Sequence, residues 1–165
     1  MSFQCYVSMK GSKQGQFKAE TKKSGRSDKF MEFSEFKMGS LVPVDQNSGA
    51  VKGFRQHKPL VISKERGAAS PQILQAHWTN EILPEVVIEI VGRPDDGSKE
   101  IVMERITLQD ATIVAVDRYS HSSAKSKSDS DVDYLEDVAF RFRSIMVENP
   151  AAGTSTSDDW NEPGS

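Results

Sequence analysis

The sequence predicts an all-β domain with one short helix, a barrel or sandwich whose open end the helix covers. Three observations carry this expectation. Apolar and polar residues alternate with period two through most of the chain, turn signals separate these runs, and only one segment has a convincing helical start. A chain of 165 residues fits one domain, because domains most often hold ~100–150 residues. The expected division is a single barrel domain over residues 1–150 and a C-terminal tail over 151–165.

The elements follow in order. Phe3, Cys5, Val7 and Met9 share one parity and Gln4, Tyr6 and Ser8 the other, as in a half-buried strand. A loop with Gly11, Gly15 and Gly25 comes next. In "KFMEFSEFKM" (29–38), Met31 and Phe33 lie on one parity and Phe36 and Met38 on the other, so a β-bulge near Ser34 is expected to bend the strand. Residues 39–53, "GSLVPVDQNSGAVKG", form a long loop carrying Leu41, Val42, Val44 and Val51. Loops of this length inside compact domains are uncommon and usually functional. Its apolar residues either meet a partner surface or fold back over the protein's own core.

"FRQHKPLVISK" is the next strand, with Pro59 marking an edge or a strand start because proline cannot donate to a ladder. "SPQILQAHWTNE" (70–81) is the helix, with Ser70 as N-cap, Pro71 at the first helical position and Asn80 near the end. Ile73 with His77, and Leu74 with Trp78, pair at i,i+4 to form its narrow face. Strands at 85–91, 100–108 and 111–119 are separated by "GRPDDGSK" and "QD" turns, the Asp95–Asp96–Gly97 turn closing a hairpin. The Ser-rich segment 120–132 reads as a mobile loop. A long strand over 134–147 then sets Val138, Phe140 and Phe142 opposite Ala139, Arg141 and Arg143. The tail has no periodicity but holds Trp160 among acids.

Composition narrows the function classes. Net charge is −3, with 21 basic and 24 acidic residues interspersed, and the mean hydropathy is −0.52. Nucleic-acid binders carry a basic stripe, and the cluster between Lys18 and Lys29, which includes Glu20 and Asp28, reads as a solvated loop instead. Cys5 is the only cysteine, so no internal disulfide can form. The three histidines have no metal-ligand spacing, and no metal or cofactor is expected. The N-terminus lacks a signal-peptide pattern, and no run approaches the ~20 apolar residues of a membrane span. Synthesis in the cytoplasm, with any export by a route without a cleaved signal, is the expectation.

The stretch 53–78 gathers Arg55, His57, Lys58, His77 and Trp78 and invites an active-site reading. Nucleophilic catalysis needs a Ser or Cys near a base and an orienting acid, yet no GxSxG elbow or phosphate-binding glycine motif is present. Cys5 is expected as an inert thiol on an inward strand face, and His77 as a hydrogen-bonded packing residue. Arg55 and His57 share one side of a strand, which suits an interface or a salt-bridge face. The acid pairs Asp95–Asp96, Asp129–Asp131 and Asp158–Asp159 fall in turn, loop and tail. The chain is therefore not expected to be an enzyme.

The same stretch, "GFRQHKPLVISKE" followed by "SPQILQA" and "NE", resembles the signature of the Hcp family, the haemolysin-coregulated tube proteins of bacterial type VI secretion systems. The segments "QGQFKAETKKSG", "MEFSEFKMGSLVPVDQNSGAVKG" and "VENPAAGTSTSDDW" match in order, so the likeness covers roughly residues 3 to 160. It implies a phage tail-tube-like β-barrel of two antiparallel sheets flanked by one helix. It also implies hexameric rings that stack into an exported inner tube, with the contractile sheath, the tip protein and effectors as partners. By the same likeness the loop residues Leu41, Val42, Val44 and Val51, together with Arg55, His57, Lys58 and Trp160, belong to subunit or ring interfaces. Ser34, Arg141 and Arg143 belong to the lumen wall. No cofactor, nucleic acid or membrane insertion is implied. Some members carry a C-terminal toxin domain; the sequence stops five residues after Trp160, and none is expected here. The alternative from another class is a monomeric β-barrel binding or adaptor module.

Overall fold

The computed structural model describes residues 2–19, 29–120 and 134–160. The expected mobile loop, His121, Asp129–Asp131 and most of the basic cluster lie outside the described residues. Among the described residues the chain forms β1 (Ser2–Gly11), β2 (Gly15–Gln16), β3 (Met31–Phe33), β4 (Glu35–Lys37), β5 (Ser40–Leu41), β6 (Gln56–His57) and β7 (Leu60–Glu65). After α1 (Ser70–Trp78) come β8 (Leu83–Arg93), β9 (Ile101–Ser120), β10 (Tyr134–Arg141), β11 (Ser144–Asn149) and β12 (Thr154–Asp159). The architecture is two antiparallel sheets and one helix, as the alternation predicts.

Pairing runs β1–β8–β9–β10–β7–β4, and β3 pairs with the other edge of β1, Cys5 facing Phe33 and Val7 facing Met31. β3 and β4 are one chain segment bent at Ser34, so this segment carries the ring of strands from β7 back to β1. The parity switch read from the sequence is this corner: Met31 and Phe33 are buried against one sheet, and Phe36 packs from the other side of the bend. The Ser34 amide and hydroxyl both donate to the Ser63 carbonyl on β7, at 2.8 and 3.0 Å, which holds the corner.

β9 joins the two sheets along its length. The sequence reading puts a turn at Gln109–Asp110, but the chain continues as one strand of 20 residues. Asp110 takes φ of +50°, which bends the strand without reversing it. Opposite this bend, the expected single strand 134–147 breaks at Phe142–Arg143 into β10 and β11, which lie end to end along β9. Apolar–polar alternation does not reveal this break, because Val138 and Phe140 before it and Ile145 after it are all buried. The segment 54–64 likewise divides into β6 and β7 on either side of Pro59, which has no amide proton for a ladder.

The core lies between the sheets and under α1. Tyr6, Val7, Met9, Phe17, Ile62, Ile88, Ile106, Leu108 and Phe140 are fully buried, and each such side chain contributes about 1.5–3 kcal/mol by leaving water. α1 packs on β9, and His77 Nδ1 donates to the Ile113 carbonyl at 2.8 Å, the packing role its position predicts. The helix face differs from expectation. Ile73 and Ala76 are the buried positions, whereas Trp78 is 74% exposed. Ser70 is also not the N-cap; Ala69 is, with no side-chain cap bond.

Ser70 has another task. Its hydroxyl donates to Glu136 Oε1 at 2.8 Å and accepts from the Gly67 amide. Glu136 on β10 is fully buried and forms an ion pair of 2.9 Å with buried Lys64 on β7. Arg118 on β9 approaches the other carboxylate oxygen at 3.4 Å. This network fixes the start of α1 to three strands. At the other end of the helix, buried Glu81 accepts from the amides of Lys13 and Gln14, and a Cβ on Gly11 would fall on that carboxylate.

Candidate functional site

Two features stand out from the barrel, an apolar projection and the ion cluster at its base. The segment read as a long loop is an irregular hairpin. Ser40 pairs with His57 and Leu41 with Gln56, while Val44 and Val51 form an antiparallel bridge. At its tip the Asp45 carboxylate accepts the Asn47 amide at 2.8 Å, and Gly49 takes the left-handed φ of +72° that the turn requires. Leu41, Val42, Val44 and Val51 do not fold back over the core: all are exposed, as are Met38 and Phe54 at the base. Val51 and Phe54 are the extremes, at 70% and 69% exposure. Single exposed apolar residues are ordinary, but here six fall within residues 38–54, and the described residues leave all of them open to solvent.

Below the projection, Arg55 and His57 meet Asp158 across 101 residues or more of sequence. Arg55 grips the carboxylate through Nε at 2.9 Å and Nη2 at 2.7 Å, and Nη2 also donates to the Asp159 carbonyl. His57 Nε2 lies 2.6 Å from Asp158 Oδ2. These bonds, the Arg55 pair first and His57 second, hold the Asp158 carboxyl well below the usual carboxylate range. The His57 ring packs between Phe142 and Trp160, with centroids 5.4 and 5.5 Å away.

This contact explains the second departure in the C-terminal region. Residues 154–159, expected as tail, form β12 on the edge of β11, with Ser144 facing Asp159 and Asn149 facing Thr154. "TSTSDD" has no apolar alternation because both of its faces are polar, so hydrophobic periodicity could not reveal it. Arg143 ties the same strand inward, bonding Asp110 at 2.8 Å and Asp159 at 2.6 Å. Both carboxylates push the Arg143 guanidinium further toward its charged form, Asp110 foremost.

His57, Lys58 and Trp160 line a surface cavity of about 310 Å³ together with Arg141, Phe142 and Arg143. Residues that the family likeness assigns to interface and to lumen thus meet in one place, while Ser34 lies at the β3–β4 corner and does not line it. Asp110, Asp158 and Asp159 are the site residues the sequence reading missed. The only available signal was an acid pair in an apparent tail, with nothing to connect it to Arg55. Cys5 is half-buried and burial raises its thiol pKa, which disfavours the thiolate. Among the described residues no group of three or more His, Cys, Asp and Glu is placed to hold a metal ion.

Comparison with known proteins gives this architecture its context. The family profile described as "Type VI secretion system effector, Hcp" matches residues 6–148. The "Major exported protein" of Pseudomonas aeruginosa is 34% identical, with 99% of this chain and 98% of that protein aligned. A crystal structure of an Hcp protein superposes with a TM-score of 0.87 at 28% identity, covering 98% of this chain and 99% of the other. The secreted protein Hcp3 of Pseudomonas aeruginosa does so with a TM-score of 0.76, also at 28% identity, covering 98% and 100%. A barrel closed at the Ser34 corner, one flanking helix, and a sequence match over most of its length together establish that the chain belongs to the Hcp family of type VI secretion systems.

Proposed function

We propose that the chain is a structural subunit of the secretion tube, forming hexameric rings that stack, leave the cell through the type VI system and carry effectors in their lumen. The observation that carries this reading is the apolar projection. Leu41, Val42, Val44 and Val51 are exposed on an ordered hairpin that is itself anchored, so a neighbouring subunit or ring is the natural cover for them. A ring of identical subunits joins one face of each copy to a different face of the next, and pairing across that joint would also use the free edge of β12. In this reading Arg55, His57, Lys58 and Trp160 stabilise the joint, and Ser34, Arg141 and Arg143 face the wet inner wall. The subunit is exported through the type VI system and works by assembly with sheath and tip proteins, not by catalysis.

Native mass spectrometry and negative-stain microscopy test it. Rings with a central hole are expected, and a strict monomer at high protein concentration would favour the adaptor reading and sink this one. Because the Lys52 amide bonds the Pro43 carbonyl at 2.7 Å, Val44–Val51 can be replaced by Asn-Gly without straining the base. That variant is expected to fold normally and to lose stacking or ring formation. Unchanged assembly would remove the hairpin from the interface.

A further inference from the structure

The cavity lined by His57, Lys58, Arg141, Phe142, Arg143 and Trp160 has a chemistry that the tube role does not require. We propose that it is a recognition pocket for a peptide carboxylate borne next to an aromatic or aliphatic side chain. The charge pattern is the first argument. Arg143 is saturated by Asp110 and Asp159, and Arg55 behind the pocket by Asp158 and the Asp159 carbonyl. Lys58 and Arg141 differ: both are exposed, and neither has an ion pair to another described residue. No acidic side chain lines the cavity, although the chain as a whole carries a net charge of −3. Two unneutralised cations at the mouth of one pocket are complementary to an anion.

The walls select which anion. The His57 ring makes tilted contacts with Phe142 and Trp160, and all three rings line the cavity beside the cations. A hydrated phosphate gains nothing from such walls, whereas a carboxylate on an apolar stem buries its stem and pairs its charge. At about 310 Å³ the cavity is near the lower end of ligand pockets, which run from about 300 to 1,000 Å³. It therefore suits one or two peptide side chains and not a nucleotide. The pocket is also stiff on one side. The Lys58 amide donates to the Gly39 carbonyl and the Trp160 amide to the Arg143 carbonyl, both at 2.9 Å, which fixes the backbone that carries the two flanking side chains.

Trp160 supplies the readout. In a Trp78→Phe background, which leaves it as the sole tryptophan, its fluorescence and indole proton resonance report on the pocket directly. The probes are acetyl-Asp-Phe-amide, the neutral acetyl-Asn-Phe-amide, acetyl-phenylalanine with a free terminal carboxylate, and inorganic phosphate. Saturable binding of the carboxylate peptides is expected at about 0.1–10 mM, about tenfold tighter than the Asn probe. The tighter of the two carboxylate probes identifies a side chain or a chain terminus as the source. Arg141→Gln and Lys58→Gln are each expected to weaken binding about three- to tenfold, and neither residue is buried, so folding is preserved. Equal binding of the Asn probe, equal competition by phosphate, or insensitivity to both substitutions would overturn the proposal. The titrations are made on dispersed subunits, because the joint assigned above to His57, Lys58 and Trp160 would cover the pocket in a ring, so their outcomes stand apart from the assembly test.

Discussion

Asp158→Asn keeps the shape of the side chain and removes the charge that Arg55 and His57 share. The carboxylate accepts two bonds from Arg55, at 2.9 and 2.7 Å, and lies 2.6 Å from His57. Hydrogen bonds to a charged group are worth about 1.5–3 kcal/mol when protected, and exposed ion pairs only about 0.2–1 kcal/mol. Here the side chains are 32% exposed for Asp158, 22% for Arg55 and 15% for His57, so solvent screens the cluster partly. A loss of about 2 kcal/mol follows from weighing the two regimes. For a chain of this size, that lowers the melting temperature by about 4–8 °C. Urea denaturation at fixed protein concentration measures the first number and hydrogen exchange localises it. Amides of β11 and β12 should lose protection while β8 keeps its own.

The dependence on pH has a definite sign. The folded-state pKa of Asp158 lies below its ordinary value, so its contribution is complete above the usual carboxylate range. It fades as pH falls through the depressed folded value. The gap between wild type and Asp158→Asn should therefore stay constant from pH 7 to about 5 and close under strong acid. A stability change under about 0.5 kcal/mol, with unaltered exchange in β12, would show that this cluster does not hold the C-terminal strand.

Two further outcomes test the interior. Glu136→Ala leaves Lys64 buried without its ion pair and should cost about 3–5 kcal/mol in urea denaturation, while replacing both residues by Met should cost less than the single change. On the helix, Ile73→Ala should cost about 2–4 kcal/mol, while Trp78→Gln should stay within about 0.5 kcal/mol in thermal melts because the indole is exposed.

Much of the barrel is legible as alternation, since a two-sided strand must place apolar residues on one face. Val7 and Met9, Ile106 and Leu108, and Phe140 all appear where parity puts them. What escaped depends on partners far along the chain. Asp110 looks like a turn residue because its left-handed backbone is a turn signal, but the pairing of Gln109 with Glu85 and Ser144 and of Ala111 with Leu83 carries the strand through it. Trp78 looks like core by size and spacing, but Ile73 and Ala76 are the apolar positions that α1 buries and the indole is left exposed. Ser70 looks like a cap because its usual task is local, whereas here a buried carboxylate from residue 136 claims its hydroxyl. β12 was invisible because polar side chains on both faces leave no period to read.

The anchor on Asp158 also imposes an order in time. Ribosomes add about 5–20 residues per second, and His57 is made 101 residues before the aspartate that holds it. For some seconds of each synthesis the base of the apolar hairpin lacks its clamp, and β11 lacks its outer neighbour. Nascent chains on one message therefore carry the sticky hairpin on an unsecured base, and the finished geometry arrives only as the last strand docks. The base of the hairpin is therefore secured only after residues 154–159 have been made and paired with β11.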